Sequence, residues 1–292
     1  MKVIAIIIAG AIAVAAVMLW ANRPLLIVIP ASPADDFPAN GFSHDQFERL
    51  LETWVDTNGQ VDYAGWHDDP TALADLDTYL AAVSTWSPES SPDRFPTPQD
   101  ELAYWMYGYN AYVIRGVLAN WPVSSVTDVK APIEAVKGLG FFARQRFSFG
   151  GEPLSLYHVE NVRIRKAFRD PRVHFVLNCA SETCPVIRPA LPAGADLEPL
   201  LESAATDFIN DPRNVAVDHD ERTIYLSAIF GWYEKDYLNW LRATGRPVSD
   251  GLVDYISVYA SAELATDLES AADYEVHVLD FDWTLNASNA TH

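Results

Sequence analysis

The run from Glu101 to Trp121, ELAYWMYGYNAYVIRGVLANW, constrains the fold more than any other part of the chain. Wound as a helix it is apolar around nearly its whole circumference, and a helix with no face to give to water is a buried one. Its start is marked by Thr97-Pro98-Gln99-Asp100: a capping threonine, proline at the first helical position and an acid in the first turn. It stops before Pro122. This stretch, about 101–120, is read as the central helix of the domain.

The remaining segments are what must enclose it. Ser43 caps a helix whose apolar face is Phe47, Leu50, Leu51, Trp54 and Val55. A short strand-like piece, GQVDYAGW, leads to a second helix carrying Leu73, Leu76, Leu80 and Val83. RFSFGGEPLSL predicts a hairpin over Gly150-Gly151. Ser155 caps a helix running to about Phe168, Asp170-Pro171 breaks it, and RVHFVLNC reads as a strand. After it come a helix with Leu197, Leu200, Leu201, Ala204, Phe208 and Ile209, a hairpin in NVAVDHDERTIYLS, helices around 230–242 and 250–265, and a last strand in YEVHVLDFDWTLN. Frequent hairpins and irregular alternation predict an α+β fold, with an antiparallel sheet packed against the central helix and several surrounding helices. No repeat, phosphate-binding glycine loop or His-Glu-x-x-His motif is present.

The first residues bear on compartment. Lys2 is followed by nineteen uncharged residues, VIAIIIAGAIAVAAVMLWA, close to the length that spans a bilayer. No small-x-small cleavage site follows, so residues 1–22 are expected to act as an uncleaved signal anchor. Residues 23–42, rich in Pro, Ala and Asp, are expected as a juxtamembrane linker, and 43–292 as one extracytoplasmic domain. Forty acidic against twenty basic residues give a net charge of −20, which repels phosphate backbones and argues against nucleic acid as a partner. The expected attachment is the membrane through the N-terminal helix, and the residues name no protein or small-molecule partner. In an oxidising compartment the two cysteines can form one disulfide.

Reactive side chains concentrate between Glu160 and Arg188, a window that holds both cysteines. As a strand, 172–179 puts Val173, Phe175, Leu177 and Cys179 on one face and Arg172, His174, Val176 and Asn178 on the other. Cys184 follows a polar turn and precedes Pro185, which suits the N-cap of a short turn. There the helix dipole and free amides lower a thiol pKa. Glu160 shares an i+4 stripe with Leu156, Ile164 and Phe168 and so faces the protein, free to pair with Arg163 or Arg165 or to orient His174. Asn110, midway along the buried helix, must find hydrogen bonds, either to an imidazole or to a neighbouring strand.

Three readings follow. Cys184 is a nucleophile, His174 its base and Glu160 or Asn110 the orienter, with Tyr109, Asn178, Ser181 and Arg165 contacting a substrate; this gives a cysteine-dependent hydrolase or acyltransferase on peptide or thioester-like substrates. Alternatively Cys179 and Cys184 form a structural disulfide in a non-catalytic binding or scaffold domain. In the third, His174, Cys179 and Cys184 hold zinc, against which the opposite strand faces and the unfamiliar spacing both count. No metal or other cofactor is expected.

YWMYGYNAYVI, LSLYHVENVRIR, DPRVHFVLNCASETCP and FDWTLN together resemble the domain of unknown function 547 family, over most of residues 45–286. The resemblance implies a domain found in bacteria and plants, without a settled activity, whose pattern falls here on Tyr109, Asn110, Glu160, Arg165, His174, Cys179 and Cys184. Arg163 stands where that family more often has an aliphatic residue. The inferred architecture is also similar in outline to papain- or transglutaminase-like folds, although there the cysteine heads the central helix and here that helix carries Asn110.

Overall fold

The computed structural model describes residue 17 and residues 23–134, 136–188 and 197–288. Four helices come first: α1 (Asp45–Trp54), α2 (Tyr63–Asp68), α3 (Pro70–Thr85) and α4 (Pro98–Ala119). Helix α4 is the central one. Every residue from Leu102 to Leu118 is buried except Arg115, and Arg115 matches its charge by donating through Nε to Asp77 Oδ1 on α3 at 2.6 Å. Thr97 and Asp100 close a capping box at its start. Buried hydroxyls stitch α4 to its neighbours: Tyr104 donates to the Val83 carbonyl at 2.8 Å and Tyr112 to that of Ser148 at 2.6 Å.

Strands β1 (Leu25–Leu26), β2 (Gln145–Phe149) and β3 (Glu152–Leu154) form one sheet against α4. Its close approach depends on glycine, since a Cβ at Gly108 would lie 3.0 Å from the ring of Phe149 on β2, and a Cβ at Gly116 would lie 2.8 Å from Phe141 in the segment that leads into β2. β4 (Val215–Asp218), β5 (Thr223–Leu226) and β6 (Glu275–Val278) form a second sheet. Both expected hairpins are present, as β2–β3 and β4–β5. The sheets are mixed rather than antiparallel, because β1 joins β2 and β6 joins β5 in parallel. Turn residues mark a hairpin locally, whereas an edge strand supplied from afar has no such mark.

Other expectations are corrected. The piece from Tyr63 is helical, capped by Asp62, whose carboxylate accepts from the Gly65 amide at 2.8 Å. Residues 23–42, expected as a linker, lie on the domain: Phe37 stacks on Trp86 at 5.1 Å, and Arg94 donates to the carbonyls of Pro38 and Gly41. Residues 171–175 are a 3₁₀-helix, not a strand. Asp170 accepts from the Arg172 amide at 3.0 Å and Pro171 fixes a helical φ, a start signal that overrides the β-branched run after it.

The preceding segments Leu156–His158, Val159–Arg165 and Lys166–Phe168 follow without a break as one helix, α5, and its middle segment is π-helical. Helices α6 (Leu197–Ile209), α7 (Ala228–Trp232), α8 (Glu234–Ala243), α9 (Leu252–Ile256) and α10 (Ala262–Ser270) complete the domain. An aromatic cluster of Phe175, Phe208, Phe230, Tyr237 and Tyr255 packs the 3₁₀-helix against α6, α7, α8 and α9. Among the described residues no helix is long and apolar enough to cross a membrane. The segment expected as an anchor lies, apart from Val17, outside the described residues.

Candidate functional site

A cavity of about 590 Å³ gathers most of the reactive window. Tyr109, Glu160, Arg165, His174, Cys179 and Cys184 all line it, together with Tyr233 and Trp232 from the α7–α8 region and Trp283 from the C-terminal motif. Asn178 and Ser181 line a different cavity, of about 760 Å³, which shares Cys184 with the first.

The π-helical segment explains how α5 contributes. With i→i+5 bonding, residues five apart come onto one face. Glu160 and Arg165 therefore both reach the cavity. Arg163 turns away to Glu89 and Glu152, each at 2.6 Å, instead of pairing with Glu160. An ordinary helical period places Glu160 with Ile164 and cannot foresee this.

His174 projects from the 3₁₀-helix and is 3% exposed. Its partner is Asp236: Nε2 lies 2.9 Å from Asp236 Oδ2, and the same oxygen accepts from Arg165 Nε at 2.8 Å. Tyr233 stacks on the imidazole at 3.7 Å between ring centroids, with the Arg165 guanidinium 4.5 Å from the Tyr233 ring. Burial lowers the His174 pKa, and its hydrogen bond to Asp236 only partly opposes this. Burial alone raises Asp236, but the hydrogen bonds from His174 and Arg165 outweigh it and hold the carboxyl at about 2. An ionised Asp236 can only accept, so a neutral imidazole carries its proton on Nε2 and leaves Nδ1 as a base.

Glu160 accepts a 2.6 Å hydrogen bond from the Tyr233 hydroxyl. Burial raises its pKa against the pull of that bond and of Arg165. The two carboxyls are thus pushed in opposite directions, Asp236 toward the ion and Glu160 toward the acid.

Asp236 and Tyr233 were not among the residues expected from the sequence. The signal for them is the one used for Glu160: Tyr233, Asp236, Tyr237, Trp240 and Leu241 form a helical stripe, and an acid on an apolar stripe faces inward. Asn110 does not meet the imidazole. Its Nδ2 donates to the Val176 carbonyl and its Oδ1 accepts from the Asn178 amide, both at 2.9 Å.

The cysteine loop is built on that anchorage. Asn178 donates through Nδ2 to the Pro185 carbonyl and accepts from the Ala180 amide, each at 2.8 Å, closing the loop from inside. From outside, the Glu182 amide donates to the Thr284 carbonyl at 2.8 Å, and buried Ser181 bridges to Leu285. The FDWTLN motif therefore clamps the loop and sends Trp283 into the cavity wall. Cys179 and Cys184 stand at disulfide distance, their Cα atoms 6.0 Å apart.

Because 171–175 is not a strand, the face argument that turned Cys179 away from His174 fails, and both sulfurs share its cavity. No helix starts at Cys184 among residues 185–188, so no helix dipole acts on it. The Cys179 amide instead donates to Cys184 Sγ at 2.7 Å. Neither sulfur hydrogen-bonds His174 among the described residues. Nor is any group of three or more His, Cys, Asp or Glu side chains among them placed to hold a metal ion.

Residues 93–209 match the model of the family described as "Protein of unknown function, DUF547". The chain carries a DUF547 domain. No curated protein and no solved structure matches it. The matched DUF547 stretch takes in α4, α5, the 3₁₀-helix and the cysteine loop, and with them Asn110, Glu160, Arg165, His174, Cys179 and Cys184. Tyr233 and Trp283 lie beyond it, so the DUF547 segment completes its cavity with residues from the C-terminal third of the chain, and Asp236, the partner of His174, lies beyond it too.

Proposed function

We propose that this cavity performs cysteine-dependent acyl transfer or hydrolysis, with Cys184 as nucleophile, His174 as base and Asp236 as the residue that orients it. One observation carries the reading: a buried histidine that is hydrogen-bonded to Asp236 shares a single cavity with both cysteines. The disulfide is the resting form, and a thiol reductant supplies the two electrons and two protons that open it. His174 Nδ1 then takes the Cys184 proton, and the sulfur attacks a carbonyl carbon and displaces the leaving group, which recovers the proton from the imidazolium. Water or another acceptor breaks the acyl–sulfur bond by the reverse sequence. Glu160 lines the same cavity, and the Tyr233 hydroxyl that it orients turns to donate to the carbonyl oxygen as charge develops there. The likeness to papain- or transglutaminase-like enzymes rests on this chemistry and not on the position of the cysteine in the fold.

The sulfur pair itself favours a second reading, a non-catalytic binding domain stapled by a Cys179–Cys184 disulfide. Thiol reactivity separates the two. Protein isolated without reductant is expected to contain no free thiol on either reading. After reduction, the catalytic reading expects Cys184 to react with iodoacetamide at neutral pH at least ~tenfold faster than in His174→Gln. Equal rates leave only the staple.

The uncharged run at the N-terminus supports a further part of the proposal, that the chain is anchored in a membrane with this domain on the extracytoplasmic side. Protease added to cells, or to spheroplasts where an outer membrane encloses a periplasm, should remove the domain; protection until the inner membrane is lysed would contradict that placement.

A further inference from the structure

Glu160, Tyr233, His174 and Arg165 of the cavity form one connected cluster: Glu160 bonds to Tyr233, Tyr233 stacks on His174, and His174 and Arg165 share Asp236 behind the wall. Much of the remaining wall is apolar and reaches the surface. Trp232, 49% exposed, lies 4.6 Å from Phe281 and 5.8 Å from Trp283, and Trp283 continues to Phe142 at 6.4 Å. Val136, 67% exposed, also lines the cavity, with Leu139 and Ile229. A single exposed aromatic residue needs no explanation, but a contiguous aromatic series leading into a cavity with one polar cluster marks a ligand surface. A sugar would need a hydrogen-bonding partner for each hydroxyl, and Trp232, Trp283, Phe142, Leu139 and Ile229 offer almost none.

We infer that the site binds a straight apolar chain and that its substrate is an acyl ester or thioester, the chain lying along Phe142, Trp232 and Trp283 and the carbonyl reaching Cys184. The acyl-donor part of this inference rests on the reading of the preceding subsection; the chain-binding part does not.

Fatty-acid binding to the full protein, followed by tryptophan fluorescence or calorimetry with hexanoate, octanoate and decanoate, tests it. Burial of each added methylene is expected to tighten binding about fourfold. Trp232→Ala should weaken decanoate binding by ~tenfold while changing hexanoate little, and Leu139→Trp should cap the gain at a shorter chain. Affinity independent of chain length, or a gain that both variants leave untouched, would overturn the proposal. The same series on a Cys179→Ser/Cys184→Ser protein keeps the two claims apart. Chain-length-dependent binding in both proteins, with no acyl adduct formed by the reduced unmutated protein, sinks the catalytic reading and leaves the ligand class standing. Acylation of Cys184 by acetyl and decanoyl thioesters at equal rates does the reverse.

Discussion

Asp236 holds the site together at the level of single residues, since one carboxylate oxygen accepts from both His174 and Arg165. Its folded pKa of about 2 lies below the usual carboxylate value of 3.8, so its contribution to stability is present above pH 4 and is lost as pH falls through 2. The difference corresponds to ~2 kcal/mol. Asp236→Asn should therefore flatten the acid limb of a urea-unfolding series between those pH values, and should lower any thiol-dependent turnover by at least ~10²-fold through loss of the Nε2–H tautomer. His174 works in the same direction: its pKa is lowered by burial, so the unfolded chain binds more protons and acidification from pH 7 weakens the fold. Asn110 has a different duty. Asn110→Ala leaves the Val176 carbonyl and the Asn178 amide without their partner, and chemical denaturation should register a loss of roughly 2–3 kcal/mol. Rapid proteolysis of the cysteine loop in this variant would accompany that loss.

At the scale of elements, the sequence made the long-period features plain and the short ones ambiguous. Helix α4 was legible because its apolar residues continue around the axis and its cap is written in Thr97-Pro98-Gln99-Asp100. Both hairpins were legible from their turns. Residues 172–179 look like a strand in sequence because a five-residue 3₁₀-helix has no periodicity long enough to compete with a β-branched run. The π-helical part of α5 was hidden for a related reason, since the stripe at steps of four that located Glu160 assumes an ordinary helix. Packing of α4 against the Leu139–Arg144 segment that leads into β2 offers an element-level test. Gly116→Ala places a methyl 2.8 Å from Phe141, and thermal unfolding should show a destabilisation of about 1–3 kcal/mol, although alanine is the better helix former.

At the scale of the whole molecule, the site is assembled from parts far apart in the chain. The matched DUF547 stretch contributes α4, α5 and the cysteine loop; α7 and α8 bring Trp232, Tyr233 and Asp236; the C-terminal motif clamps the loop and adds Trp283. The sequence could name Cys184, His174 and Glu160 as candidates because each breaks a local pattern. It could not choose His174's partner, because that contact spans sixty-two residues and depends on how α8 docks. Acylation reports directly whether the Asp236–His174 pair activates Cys184. Reduced protein is mixed with an acyl thioester, and the adduct is followed by intact-protein and peptide mass spectrometry. The expected result is one acyl group on Cys184, absent in Cys184→Ser and formed at least ~10²-fold more slowly in His174→Gln and Asp236→Asn. No adduct, or one that forms at the same rate in all four proteins, would contradict it.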